Sequence, residues 1–308
     1  MSTLAILVIL LFIIIIIFQP LLSKPLYMIL ISFSLLLFAP ILPMTEAVFN
    51  ISKNRFSENY GKIRLSGSLS FLFTVLLIGI FIEQYSLDIY PVLFLAASFI
   101  LLINIIFMEN QDSSINVLSY KNNIKSLILQ KEYLIVLTVC SLIQSSHAMY
   151  YSFSTILWSN IGLSVNNIGK LWGIAIIAEI LLFYKISKLK VKNNFYLFLS
   201  LSAFLSSIRW LATYVTSDFY LLILIQLLHA ISFGLTHYLM MYYINSKVSK
   251  ELKLLAQIAY HGLSGGIMLT FFILCLAFYF SYFNDNKGYL LMVIICVFSF
   301  IISYLARK

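Results

Sequence analysis

Apolar residues run along this chain in long unbroken stretches, separated by short polar breaks. Ten runs stand out: Leu4–Leu22, Leu26–Phe49, Leu65–Ile82, Tyr90–Phe107, Tyr133–Trp158, Ile168–Ile186, Phe195–Val215, Phe219–Ile244, Gln257–Phe283 and Gly288–Leu305. Each is close to the roughly 20 residues that a helix needs to cross the hydrocarbon core of a bilayer. Membrane barrel strands would alternate, and these runs do not, so helices are predicted. The first run lacks the basic lead-in and small-residue cleavage site of a signal peptide, and is predicted as a membrane helix. The longest polar stretch, Glu109–Glu132, follows the fourth run and is rich in Asn, Ser and Lys. It predicts a four-helix bundle over 1–108, a cytoplasmic linker over 109–131 and a six-helix bundle over 132–308. The expected fold class is an all-α polytopic membrane protein of ten helices, four plus six.

Composition agrees. The chain is 62% hydrophobic and 10% charged, against roughly 45–50% and 25% in soluble domains, which excludes a soluble enzyme. Low polar, Gly, Pro and Cys contents exclude disorder, collagen and a disulfide scaffold. The net charge of +9 has a topological reading. Alternate connections hold Lys53, Arg55, Lys62 and Arg64; Lys121, Lys125 and Lys131; Lys185, Lys188, Lys190 and Lys192; Lys247, Lys250 and Lys253; and Arg307 and Lys308. The opposite connections hold only Lys24 and Lys287, beside Glu83, Asp88, Asp218 and Asp285. Basic residues stay on the cytoplasmic side, so both termini are predicted there, in a bacterial inner membrane. The charge calls for no nucleic acid. Cys140, Cys275 and Cys296 all sit inside apolar runs and read as small core residues.

Ionisable groups at membrane depth cost about 2.5–3.5 kcal/mol each and face a bundle interior or a wet cavity. Here they are Glu46, Glu179, Arg209 and the histidines His147, His229, His237 and His261, while Lys170 lies near a helix end where it can snorkel. Two of the histidines repeat a pattern. Gln144-x-x-His147-Ala148 lies in the first helix after the linker, with Tyr151 one turn on; Gln226-x-x-His229-Ala230 lies in the fourth, with Phe233 one turn on. Residues three apart share a helix face, and recurrence three helices later is what an inverted repeat produces. Two readings follow: interhelical hydrogen-bond glue, or two helices lining one polar cavity. Glu179 and Arg209 sit mid-helix on consecutive segments. They make a structural ion pair, or they divide the work, with Glu179 coupling protons and Arg209 meeting an anion. Glu46 follows Pro40 and Pro43, and Arg64 opens the next helix, as a proline-loosened gate or hinge or as an interfacial charge pair. Gly262, Gly265 and Gly266 beside His261 offer a small-residue face for helix packing.

Phosphate-binding Gly loops, His-Glu-x-x-His, Cys-x-x-Cys and Gly-x-Ser-x-Gly are all missing. No catalytic residue, metal site or cofactor is therefore expected. A ten-helix drug/metabolite-type exporter is one alternative architecture; it predicts two five-helix halves, which the linker position disfavours. A membrane-embedded enzyme or assembly protein is another, and it would gather its polar groups at one membrane face.

Several blocks resemble the 3-phenylpropionate permease family of the major facilitator superfamily. They are Pro40-Ile41-Leu42-Pro43-Met44-Thr45-Glu46-Ala47; Tyr60-Gly61-Lys62-Ile63-Arg64-Leu65-Ser66-Gly67-Ser68; Ser146-His147-Ala148-Met149-Tyr150-Tyr151-Ser152-Phe153; Leu171-Trp172-Gly173 with Ala178-Glu179; Arg209-Trp210; and Gln226-Leu227-Leu228-His229-Ala230 with Phe233, His237 and Tyr243-Ile244. The resemblance implies a secondary transporter, a proton symporter of small organic, typically aromatic, acids, with two bundles rocking about a central cavity. Its partners would be the small-molecule substrate, protons and the lipid bilayer. It places Arg209, Glu179, His147 and His229 at positions the family fills with the same residue types. The family has twelve helices, so the resemblance also implies a chain that begins at the third, with the cavity wall of the first helix open to lipid or supplied by a partner chain.

Overall fold

Where apolar residues run longest, the backbone has no water to bond to and closes its hydrogen bonds within helices. The computed structural model describes residues 1–41, 44–45, 56–85, 89–109, 126–189 and 191–307. Among the described residues, ten helical segments lie on the ten apolar runs: α1 Ser2–Leu21, α2 Lys24–Phe38, α3 Phe56–Tyr85, α4 Tyr90–Glu109, α5 Lys131–Asn160, α6 Val165–Lys185, α7 Phe195–Val215, α8 Phe219–Lys247, α9 Lys250–Phe283 and α10 Gly288–Leu305. Among the described residues, eight helices are long and apolar enough to span a membrane; α2 and the 65–74 stretch of α3 are shorter apolar helices.

The helices form two compact units, one within Met1–Asn54 and Phe71–Ser119, the other within Arg55–Ser70 and Tyr120–Lys308. Most of the predicted linker, residues 110–125, lies outside the described residues. In the first unit α1 packs between α2 and α4. Val8, Phe12 and Ile15 form its inner face, with Phe94 stacked on Phe12 at 4.6 Å and edge-on to Phe38 at 5.1 Å.

The second unit has its closest packing between α7 and α10. Small buried residues make that approach possible: Ser200, Ala203 and Ser207 on α7, and Cys296, Ser299 and Ser303 on α10. Buried hydroxyls turn back on their own helix, Ser200 to the Tyr196 carbonyl and Ser299 to that of Ile295, each at 2.8 Å, which satisfies them without water. Gly162, joining α5 to α6, has φ +86° with nothing within 4 Å of where a Cβ would stand. Gly162→Ala therefore adds backbone strain alone, about 1 kcal/mol. The expected result is a melting temperature lower by roughly 2–4 °C, read by scanning fluorimetry in detergent; an unchanged one would contradict the strain argument.

The buried apolar residues of this unit form two clusters. One contains Ile143, Phe183, Leu199, Ala203 and Leu235; the other contains Ala148, Leu171, Trp210, Ile225 and Met292. On α5, α6, α7 and α8 alike, the chain passes from one cluster to the other through a short polar interval. Those intervals hold His147, Glu179, Ser206 to Arg209, and Gln226 to Ser232. A polar belt is thus sandwiched between two apolar layers. The helices are irregular at the same level: α5 breaks at Ser146–His147, α8 widens into a π-helix over Ala230–Leu235, and α9 does so over Gly262–Met268. Such interruptions release backbone groups where side chains can meet them.

Candidate functional site

A guanidinium has five N–H donors and no acceptor, so a buried one must be surrounded by lone pairs or ring faces. Arg209 on α7 is 0% exposed. Its Nη2 donates to Gln226 Oε1 at 3.1 Å. Its Nη1 lies 2.7 Å from Ser232 Oγ, 3.1 Å from His147 Nε2 and 3.1 Å from His229 Nδ1. The guanidinium carbon stands 4.7 Å from the ring centre of Tyr150 and 4.3 Å from that of Trp210, a cation–π arrangement on two faces.

Nη1 has two hydrogens and three neighbours. The count closes when Ser232 accepts one and passes its own hydrogen to His147 Nε2, 3.2 Å away, while His229 takes the other. The tautomers follow from the partners. His147 Nδ1 lies 3.2 and 3.1 Å from the carbonyls of Ile143 and Gln144, which only accept, so Nδ1 carries the proton. His229 is the reverse, with Nδ1 accepting from Arg209 and the Nε2–H facing Glu179 Oε2 at 3.8 Å. Glu179 Oε1 accepts from Ser68 Oγ of α3 at 3.0 Å. A carboxylate, an imidazole and a guanidinium thus stand in line. The His229 lone pair is taken by Arg209 and that of His147 by Ser232.

A direct Glu179–Arg209 ion pair, one of the sequence-based expectations, does not form: His229 occupies the gap, and no described carboxylate lies within 4.0 Å of Arg209. Gly234 is the local reason. A Cβ there would stand 3.0 Å from Leu182 Cδ2 and 3.4 Å from Glu179 Cγ, so its absence lets α8 close on α6 and carries His229 between the two charges.

The Gln-x-x-His repeat makes hydrogen bonds between helices. Gln226 and His229 bond Arg209 and His147 reaches it through Ser232, whereas Gln144 Nε2 turns to the Phe233 carbonyl in the π-helical turn at 3.0 Å. Tyr151 is 41% exposed and stacks on His147 at 5.4 Å. His237 stays off the guanidinium; it lies on the far side of Phe233, which stacks on His229 at 5.3 Å and on His237 at 6.4 Å. Sequence reasoning missed Ser232, Ser68, Tyr150 and Ser146, whose Oγ accepts from Trp210 Nε1 at 2.9 Å. Ser232 and Ser146 were within reach, one a turn beyond His229 and the other adjacent to His147. Ser68 had only its place in the Tyr60–Ser68 block, which names no role for it. Pro43 and Glu46 lie outside the described residues; Arg64 is on α3 with its side chain outside them, and Pro40 sits in an exposed turn after α2.

Three buried polar atoms of the cluster, Arg209 Nε, Gln226 Nε2 and the Tyr150 hydroxyl, have no hydrogen-bond partner among the described residues. Unsatisfied donors on a fully buried, hydrogen-bonded pair are rare and ask for an acceptor.

Comparison with known proteins bears on the same region. A "probable 3-phenylpropionic acid transporter" of Escherichia coli (strain K12) is 26% identical over 272 residues, covering 87% of this chain and 71% of that protein. The family model described as the MFS_1 like family matches residues 1–271. These similarities set aside the embedded enzyme and the ten-helix exporter. A polytopic all-α chain with a buried cationic site, matched over 1–271 of its 308 residues, belongs to the MFS_1 like family of the major facilitator superfamily and is a transporter.

Proposed function

We propose that this transporter is a proton symporter of small organic acids, aromatic ones in particular, in which Arg209 receives the carboxylate and Glu179 the proton. One observation carries the reading: Arg209 is a fully buried cation bonded only to neutral acceptors, with its Nε and the neighbouring Gln226 Nε2 lacking any. A carboxylate offers two oxygens in the fork geometry that a guanidinium favours. Tyr150, Trp172 and Trp210, grouped at centroid distances of 4.4 and 5.9 Å from Tyr150, supply ring faces for an aromatic body. The name of the E. coli relative, which concerns an aromatic carboxylic acid, supports the same class.

Coupling follows from charge. An arriving carboxylate adds a negative charge to the low-dielectric belt, which one proton taken up by Glu179 offsets, so acid and proton cross as a neutral pair. The placement of Lys and Arg supports an inner-membrane protein with both termini cytoplasmic.

The test is uptake of labelled 3-phenylpropionate by the full chain in liposomes. An acid-outside gradient should drive accumulation above the external concentration, and a protonophore should collapse it. Uptake indifferent to the gradient, or no binding of any aromatic acid, would sink the reading.

A further inference from the structure

Away from the Arg209 belt, one end of the second unit contains a cavity of about 600 Å³, within the range of small-molecule sites. It is bounded by helix ends: Glu132 at the start of α5, Phe195 to Leu197 at the start of α7, Tyr242 to Lys247 at the end of α8, and Arg307 beyond α10. Three cations from three separate elements line it, Lys192, Lys247 and Arg307, against the single carboxylate of Glu132. Its net charge is therefore +2, and Asn193, Asn194 and Ser246 add neutral hydrogen-bonding groups. Glu132 interacts with Tyr196 and Tyr243, so the lone carboxylate already has neighbours within the lining.

The cavity continues onto an apolar track. From Leu197 in its wall, the exposed face of α7 carries Leu201, Phe204, Ile208, Leu211 and Val215. The spacing of four, three, four, three and four residues makes one straight stripe along a membrane-spanning helix. A phosphate in the cavity would sit at the depth of the headgroups, with acyl chains lying along the stripe. We infer that this is a binding site for an anionic phospholipid, its phosphate held by Lys192, Lys247 and Arg307 and its chains by the α7 stripe. Charge on a headgroup is matched by the basic cavity, as expected for basic pockets between membrane helices. A phosphate without chains would use only half of what the surface offers.

Native mass spectrometry of the full chain, with phosphatidylglycerol and phosphatidylcholine titrated in parallel, tests the site. Phosphatidylglycerol should bind at least 10-fold tighter than phosphatidylcholine. The triple variant Lys192→Gln, Lys247→Gln, Arg307→Gln should weaken it about 100-fold, roughly fivefold per cation. A control triple outside the lining, at the end of α6 and the start of α9, Lys185→Gln, Lys188→Gln, Lys250→Gln, should retain it within threefold. Leu197→Asn with Leu201→Asn should weaken the lipid without changing the binding of free glycerol phosphate. Equal loss in the two triples would mean surface charge alone and overturn the site. Equal binding of phosphatidylcholine would do so too. Glycerol phosphate competing at the lipid's own concentration would assign the cavity to a soluble phosphate and overturn the lipid.

Discussion

With Arg209 in the proposed carboxylate-binding role, replacing it by Lys is expected to lower acid uptake by about 100-fold or more while leaving a folded, membrane-inserted protein. The charge is kept and the geometry is not. The guanidinium reaches Gln226 through Nη2 and His147, His229 and Ser232 through Nη1, while lying against the faces of Tyr150 and Trp210. A lysine ammonium has three donors at one point and cannot hold both sets, nor offer a planar fork to a carboxylate. Disturbing one partner of a buried, hydrogen-bonded charge pair costs about 2–5 kcal/mol, which spans the expected loss. Quenching of tryptophan fluorescence by 3-phenylpropionate, with Trp210 in direct contact with the site, reads binding separately from transport. Both signals should vanish together in Arg209→Lys. Uptake within threefold of the wild type would remove Arg209 from the substrate pathway.

The sequence pattern showed the helices because a bilayer imposes a length and a polarity that can be counted residue by residue. It showed Arg209, Glu179, His147 and His229 for the same reason, since each is an ionisable group inside an apolar run. What joins them was hidden. Whether Glu179 meets Arg209 directly depends on whether a third helix can come close, and that turned on the absent Cβ of Gly234. Ser68 lies 111 residues before Glu179 and nevertheless donates to it; one serine in a serine-rich stretch has no local mark. The break at Ser146–His147 and the π-helical turn of 230–235 were equally invisible, because an apolar run reads the same whether its turns have four residues or five.

Those irregular turns explain why two similar motifs play unequal parts. Gln226 lies ahead of the π-helical turn and bonds Arg209; Gln144 faces that turn and bonds the carbonyl of Phe233. A regular α-helix would keep that carbonyl inside its own ladder. The pseudo-symmetry visible in the sequence therefore becomes an asymmetric site, with one glutamine on the guanidinium and the other bracing the helix that carries His229 and Ser232. Phe233 itself stacks between His229 and His237 at interplanar angles of 6° and 9°, and so separates the Arg209 cluster from the His237–His261 pair, whose rings lie 5.8 Å apart.

Glu179→Gln is expected to separate binding from coupling. The amide is close to isosteric with the carboxyl, and it can accept from the His229 Nε2–H while its NH₂ group donates to Ser68. The local packing against Gly234 and Leu182 is unchanged by the replacement. Arg209 keeps all its hydrogen bonds, since none of them runs to Glu179. Binding of 3-phenylpropionate should therefore hold within about threefold, or tighten, because a negative charge near the anion site has been removed. Accumulation driven by an acid-outside gradient should fall at least 100-fold, because the variant has no site for the coupled proton, while exchange of internal for external acid continues. Counterflow and gradient-driven uptake measured on the same liposomes give the comparison. If both fall equally, Glu179 is a structural partner of His229 and Ser68; if neither falls, the proton is carried elsewhere, with His237 and His261 the next groups to replace.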